Sequence, residues 1–374
     1  VNIIETLSKL VQFNSVSANS NAEIISYLTE RLEAKNFRVK HHIYVDNKGV
    51  EKINMVALYG DDDSEIELAL VGHTDTVPFK EDWNDALILT EKDNKLYGRG
   101  SCDTKGFIAA ALTAVDFVDL SQLKKTLALI FTADEEIGCI GAKKLADAKP
   151  FKIKNAIVGE PTSLQPIRAG KGYCLGEIIL HGKEGHSAYP MTGVNAIYRA
   201  ARLINEIEKI SDTILKEDVR TEFEPPYTTL NVGLIMGGTA KNIIAGECRF
   251  TIEWRPVPNQ SATQVLSLIQ HVGEKLKEVD GDFNFEIVPL RLDEGMSTPE
   301  VAELVKFLEN ETNKKSGTIA FGTEAPQMIE LGANAVVLGP GDIRVAHRTG
   351  EFVPIDELKM CRRVLQKAIE RFCF

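Results

Sequence analysis

The sequence predicts an α/β fold, with a mixed central sheet flanked by helices and interrupted by a smaller inserted α+β domain. Three observations carry this. Apolar runs alternate with segments of helical period as far as about residue 174. Between 175 and 289 the character changes to long strands around two amphipathic helices. After Leu290 the first pattern resumes. The expected organisation is one domain from 1–174 and 290–374, with 175–289 inserted and hinges near Cys174 and Leu290. A chain of 374 residues is too long for one typical core, and an insert of about 115 residues is large enough for its own.

Each element has its own signal. Apolar residues recur at helical spacing from Ile3 to Val11 and from Ala22 to Leu32. Strands follow at Phe37 to Val45, Ile53 to Tyr59 and Ile66 to Val71, where β-branched and apolar residues cluster. Alternation then sets in: helix Phe107 to Val118, strand Thr126 to Ala133, helix Ala142 to Ala148, strand Ala156 to Gly159. In the insert, LGEIILHGKEGHSAYP reads as strand and turn and Val194 to Ile210 as helix. TTLNVGLIM and NIIAGECRFTIEWRP read as two long strands around a GG turn, and Ser261 to Val279 as a second helix. Gly237 and Gly238 suit that hairpin turn, although GGTAKN also suits a close approach to a ligand. Helix Thr298 to Asn310, strand Ala333 to Leu338 and helix Ile355 to Phe372 close the chain, with no internal repeat.

Composition excludes several classes. A formal charge of -11 without a basic stripe argues against nucleic acid and anionic membrane surfaces as partners. No run approaches the roughly 18 apolar residues of a membrane span. VNIIETLSKLVQF carries an early Glu5 and no cationic start, so it reads as a first helix rather than a secretory leader. Six scattered cysteines without a C-x-x-C pair suit a reduced, cytoplasmic protein.

Chemistry gathers where apolar strands stop. LALVGHTDTVP puts His73 and Asp75 two residues apart, on one face of an extended segment, where a carboxylate can accept the Nδ1 proton of a metal-binding histidine. TLALIFTADEEIG ends in Asp134, Glu135 and Glu136, three like charges that repel unless solvated as a turn or offset by a cation. GRGSCDTKG supplies Asp103 at a helix start, NAIVGEPT supplies Glu160, and NAVVLGPGDIRVAH supplies His347. In open α/β sheets, ligand sites lie beyond the carboxyl ends of the strands, so these residues can converge. His41, His42, His181 and His271 have no such context, and GPGD lacks the Gly-Lys-Ser/Thr of a phosphate loop.

GHTDTVP, GRGSCDTKG, TADEEIG, VGEPT, GKEGHSAYP and the late AH together resemble the co-catalytic zinc family of aminoacylases, carboxypeptidases and deacylases, over Val71 to about Glu351. FGTEAP and GPGD-x-x-x-AH resemble most the members that remove acetyl from N2-acetylornithine. The resemblance implies a zinc-peptidase-like catalytic domain with an inserted lid and dimerisation domain, and hence a homodimer. It implies two divalent ions, zinc first with cobalt or manganese also suitable. Asp103 then bridges the ions, His73 and Glu160 hold one, Glu136 and His347 the other, Glu135 is the general base and Asp75 orients His73. It further implies that His186, reaching from a partner subunit, stabilises the oxyanion, and that Arg255, Asn242, Gly322 and Thr323 meet the substrate, an N-acyl amino acid. Taken alone, Arg255 also has a reading as a strand-end salt bridge, the lesser of the two. Thr104 departs from the methionine that many relatives place after the bridging aspartate. Succinyl-diaminopimelate, other acyl amino acids and small dipeptides stand as alternative substrates. The non-enzyme alternative is a metal-containing protein that binds a small carboxylate; structural zinc sites favour cysteine and close with four ligands, whereas this set has no cysteine.

Overall fold

Side chains along Ile3–Val11 explain why the chain begins as a helix. Ile3, Leu7, Leu10 and Val11 fall on one buried face, and the Asn2 side chain caps the start by accepting the Ile4 N–H. The computed structural model describes residues 2–60 and 64–374. The chain forms two compact units. The first takes everything up to Arg168, then Thr298–Gly317 and Thr323–Phe374; the second takes Ala169–Ser297 and Thr318–Gly322.

In the first unit a mixed sheet runs in the order Arg38–Val45, Glu51–Tyr59, Leu127–Thr132, Glu65–His73, Lys152–Val158, Asn334–Val337. The first two strands are antiparallel, and Glu51–Tyr59 meets Leu127–Thr132 antiparallel. From there on all pairs are parallel: His73 lies opposite Thr132, and Val71 and Val337 both lie opposite Val158. Leu127–Thr132 is buried at every position, as expected for a strand covered on both faces, which is why it reads as an unbroken apolar run. Helix Lys105–Asp116 is likewise buried almost all round. Helix Ile355–Cys373 buries Ile355, Leu358, Cys361, Leu365, Ile369 and Phe372 as a single stripe; each such side chain contributes about 1.5–3 kcal/mol on leaving water.

The second unit is a four-stranded antiparallel sheet ordered Thr229–Gly237, Glu247–Arg255, Tyr173–His181, Asn284–Asp293, with helices Ala196–Asp212 and Gln264–Val279. Strict alternation of burial in Tyr173–His181 and Glu247–Arg255 marks a sheet with one covered face. Ile178, Leu180, Phe250, Ile252 and Trp254 pack there with Leu203 and Ile269 from the helices. Trp254 is fully buried, and its ring N–H is satisfied by the Ala262 carbonyl at 2.9 Å.

Several element boundaries differ from the sequence expectation, each for a local reason. The strand expected over Ala156 to Gly159 begins at Lys152, because Lys152 and Lys154 alternate outward and mask its start. The long strand expected over 242–256 breaks into Ile243–Ile244 and Glu247–Arg255, since Ala245 and Gly246 give their carbonyls to Ala196 and Gly182 instead of to a ladder. Helix Thr298 to Asn310 starts only at Glu303, beyond Pro299. A short hairpin, Thr90–Lys92 with Lys95–Tyr97, was not anticipated; Asp93 and Asn94 turn it with φ of 52° and 57°. No helix among the described residues is long and apolar enough to cross a membrane.

Candidate active site

Four parallel strands deliver the site because they all end at the same edge. Glu65–His73 ends in His73 itself, Leu127–Thr132 runs on into Asp134, Glu135 and Glu136, and Lys152–Val158 is followed at once by Glu160. Asn334–Val337 leads through a loop to His347, and Asp103 stands just before helix Lys105–Asp116. Gly159 has a specific reason to be glycine: a Cβ there would sit 2.3 Å from the Phe107 ring, so no side chain fits where the chain turns to aim Glu160.

Asp103 is the centre. Its Oδ1 lies 3.1 Å from His73 Nε2 and its Oδ2 lies 3.1 Å from His347 Nε2. His347 Nε2 also lies 2.9 Å from Glu136 Oε2, and His73 Nε2 lies 4.0 Å from Glu135 Oε2. Ligand atoms of His73, Asp103 and Glu136 fall within 4.8 Å of one another, and so do those of His73, Glu135 and Glu160. Imidazole nitrogens and carboxylates in this mix fit two divalent cations of borderline hardness, and Asp103 offers one oxygen to each side.

The electrostatics describe a site short of positive charge. Burial works against a charged His73, yet the carboxylates of Asp103, Asp75 and Glu135 around it outweigh this and hold its pKa well above the ordinary histidine value. Hydrogen bonds to the Asp103 and Glu136 carboxylates raise His347 to about 10. Burial, with Glu136 and Asp103 adding repulsion, lifts Glu135 to about 8; Glu136 and Glu160 are also raised, chiefly by burial. Asp103 is the exception: burial disfavours its charge, but hydrogen bonds from both histidines hold it below the usual aspartate range. Cations would relieve the repulsion among the raised carboxylates.

Asp75 meets His73 with both its main chain and its carboxylate. His73 Nδ1 lies 3.0 Å from the Asp75 main-chain oxygen, and the carboxylate stands 3.6 Å away. The carboxylate also accepts the N–H groups of Glu135 and Glu136, at 3.1 and 3.3 Å, and the Ser17 hydroxyl at 2.7 Å. Asp75 therefore holds the imidazole and, through its side chain, the acid loop. Asp103 is held similarly, since Glu351 accepts the N–H groups of Cys102 and Asp103 and is itself paired with Arg99 at 2.6 Å.

The remaining expected residues fall into three places. Thr323 is buried in the first unit, and its hydroxyl accepts the Ala325 N–H at the start of helix Ala325–Glu330. His186 lies on a two-stranded ribbon of the second unit, opposite Ile243, and Asn242 stands in the turn just before that strand, where the Ser187 N–H reaches its carbonyl. His186 Nδ1 accepts the Ala188 N–H at 3.1 Å, which leaves Nε2 as the donor nitrogen. Arg255 is in the same unit, 4.7 Å from the Tyr173 ring centroid, with Nε on Glu253 at 2.7 Å and Nη1 on the Ala320 carbonyl at 2.6 Å. Arg291 stands equally close to the Tyr173 ring, and a Cβ on Gly322 would come within 3.7 Å of Arg291 Nη2. Tyr173, Arg291, Glu324 and Glu351 were not singled out from sequence. Glu324 is buried and accepts the Thr132 hydroxyl at 2.5 Å, with burial lifting its pKa to about 7; its neighbours in GTEA were the only hint.

Comparisons with known proteins agree with this geometry. The chain is 50% identical over 369 residues, 98% of its length and 97% of the relative's, to acetylornithine deacetylase of Myxococcus xanthus. Its fold is similar to a tripeptidase from Staphylococcus aureus (TM-score 0.76, 22% identity, 99% of this chain and 98% of that one). It is also similar to an M20 family metallo-carboxypeptidase from Sulfolobus solfataricus (TM-score 0.75, 21% identity, 100% and 99%). Residues 69–371, which contain His73, Asp103, Glu135, Glu136, Glu160 and His347, match Peptidase family M20/M25/M40, and the chain belongs to that family.

Proposed function

We propose that the chain hydrolyses the amide of N2-acetyl-L-ornithine, giving L-ornithine and acetate. The observation that carries this reading is the meeting of His73 and His347 on opposite oxygens of Asp103, ringed by Glu135, Glu136 and Glu160 from separate strands. The substrate rests on the Myxococcus relative.

His73, Asp103 and Glu160 would hold one divalent cation, and Asp103, Glu136 and His347 a second, zinc suiting the donor set best. Bound there, the cations supply Lewis acidity and make water acidic enough to deprotonate near neutral pH. Glu135, ionised once cations offset the surrounding carboxylates, would accept a proton from water and return it to the departing amine. His186 would donate its Nε2–H to the developing oxyanion, reaching from the partner of a homodimer. Arg255 and Asn242 would meet the α-carboxylate of the substrate, with Gly322 and Thr323 adding contacts to it. In this reading the first unit is catalytic and the second is the lid and dimerisation domain. Its edge strand Thr229–Gly237 supports the dimer, because Leu234, Ile235 and Met236 are all exposed there. Six buried thiols with no disulfide suit the cytoplasm.

Glu135→Gln tests the assignment. Turnover of N2-acetylornithine should fall by at least about 100-fold while metal content stays near wild type. Full activity in that variant, or wild-type activity that survives complete chelation, refutes the mechanism.

A further inference from the structure

We propose that Lys52 and Tyr44 are positioning residues for the acid loop, gripping Asp134 so that the two glutamates after it are presented in fixed orientation. The inference rests on the reading of Glu135 as base and Glu136 as metal ligand.

Asp134 and Lys52 are both essentially excluded from water, and Lys52 Nζ lies 2.9 Å from Asp134 Oδ1. The second carboxylate oxygen accepts the Tyr44 hydroxyl at 2.9 Å. Lys52 spends its other two protons on the main-chain oxygens of Ser17, at 2.5 Å, and Asn19, at 2.9 Å. Ser17 in turn donates its hydroxyl to Asp75, whose carboxylate takes the N–H groups of Glu135 and Glu136. The circuit is closed. One carboxylate anchors the loop just before the two glutamates, another holds their backbone, and Lys52 with Ser17 ties the two anchors together.

Two features argue that this arrangement does more than fill space. Asp134 has φ of 59°, a left-handed conformation that costs a non-glycine residue free energy and is kept only when the surroundings enforce it. A buried ion pair is also an expensive way to pack a core, since apolar residues of equal volume usually serve as well or better. Its particular use here is electrostatic: the loop needs a rigid anchor beside Glu135, Glu136, Asp103 and Glu160, and a carboxylate whose charge is cancelled by Lys52 anchors without adding to their repulsion. Misplacing a base or ligand by about 1 Å can cost on the order of 100-fold in rate.

The test uses the full chain loaded with Co2+, whose visible spectrum reports the ligand field. Tyr44→Phe removes one hydrogen bond and no charge; Lys52→Met with Asp134→Asn removes the pair without leaving a buried charge alone; Lys52→Arg keeps the charge. In Tyr44→Phe, kcat should fall about 10-fold with KM within about twofold, and the cobalt bands should shift. The double variant should lose more, and Lys52→Arg should recover part of the loss. Wild-type kcat and an unchanged cobalt spectrum in Tyr44→Phe and the double variant, whatever their melting temperatures, overturn the positioning role. If the wild type itself takes up no cobalt, the reading of the site as a metal centre fails first, and this inference falls with it.

Discussion

Filling the metal-free protein with divalent cations should release protons, and the number follows from the site. His347 is lifted to about 10 by hydrogen bonds to Asp103 and Glu136, and His73 also lies well above the ordinary histidine value. At pH 7 the His347 ring is imidazolium and must lose a proton before Nε2 can bind a metal, and the carboxylates around His73 push it in the same direction. Glu135, at about 8, also holds a proton that nearby dications would expel, and burial raises Glu160 in the same direction. Uptake of two ions at pH 7 therefore releases at least about two protons, from His347 and Glu135, and the product of the two association constants climbs by about tenfold per pH unit for each proton released. Isothermal titration in PIPES, MOPS and HEPES, which differ in ionisation enthalpy, measures the count as the slope of heat against that enthalpy. A slope near zero refutes the electrostatic description. The linked stability effect has a definite sign. Histidine values raised on folding stabilise the metal-free fold in full below about 6.5, and that contribution is lost as pH rises toward 10. Chelation should thus lower the melting temperature most on the alkaline side of that window.

Three further outcomes test other parts of the molecule. Arg255→Lys loses the planar fork suited to a carboxylate and the stacking on Tyr173, so KM should rise about 10- to 100-fold with a smaller change in kcat; an unchanged KM would remove Arg255 from substrate binding. Ile235→Lys places a charge on the exposed edge strand, and sedimentation velocity should show a monomer in place of the proposed dimer. Gly159→Ala forces a methyl into the Phe107 ring, which should destabilise the fold by about 1–3 kcal/mol and weaken metal binding through Glu160; calorimetry and chelator competition read the two effects separately.

How much of this was legible depended on whether a residue type is demanded by chemistry or only by its neighbours. His73, Asp103, Glu136, Glu160 and His347 stand where apolar strands or loops end, and that punctuation shows in the sequence because parallel strands buried on both faces must be apolar throughout. The strand Asn284–Asp293 did not show, because Pro289 interrupts FEIVPLRLD, where the pairing register shifts, and the strand is only partly buried. The hairpin Thr90–Lys92 with Lys95–Tyr97 is too short for any period, although its Asp93-Asn94 turn is a signal that could have been read.

The supports of the site were silent for a different reason. Lys52 lies in EKINMVALY, a run that looks like an ordinary strand with a solvated lysine near its start, and Tyr44 looks like one more residue of a half-exposed strand. Nothing local shows that both reach Asp134 across more than eighty positions. A ligand must be a donor atom of a given kind, so its identity shows in one dimension; a support need only satisfy a buried partner, so its meaning exists only once the partner is in place. This bears on the three adjacent acids themselves. Glu135 and Glu136 would be stabilised by what binds between them and the histidines, but Asp134 is already neutralised by Lys52 in the folded chain. The run DEE is thus two problems joined in sequence, one solved by folding and the other left for the cations, which is why removing metal should perturb the glutamates while leaving the turn that presents them intact.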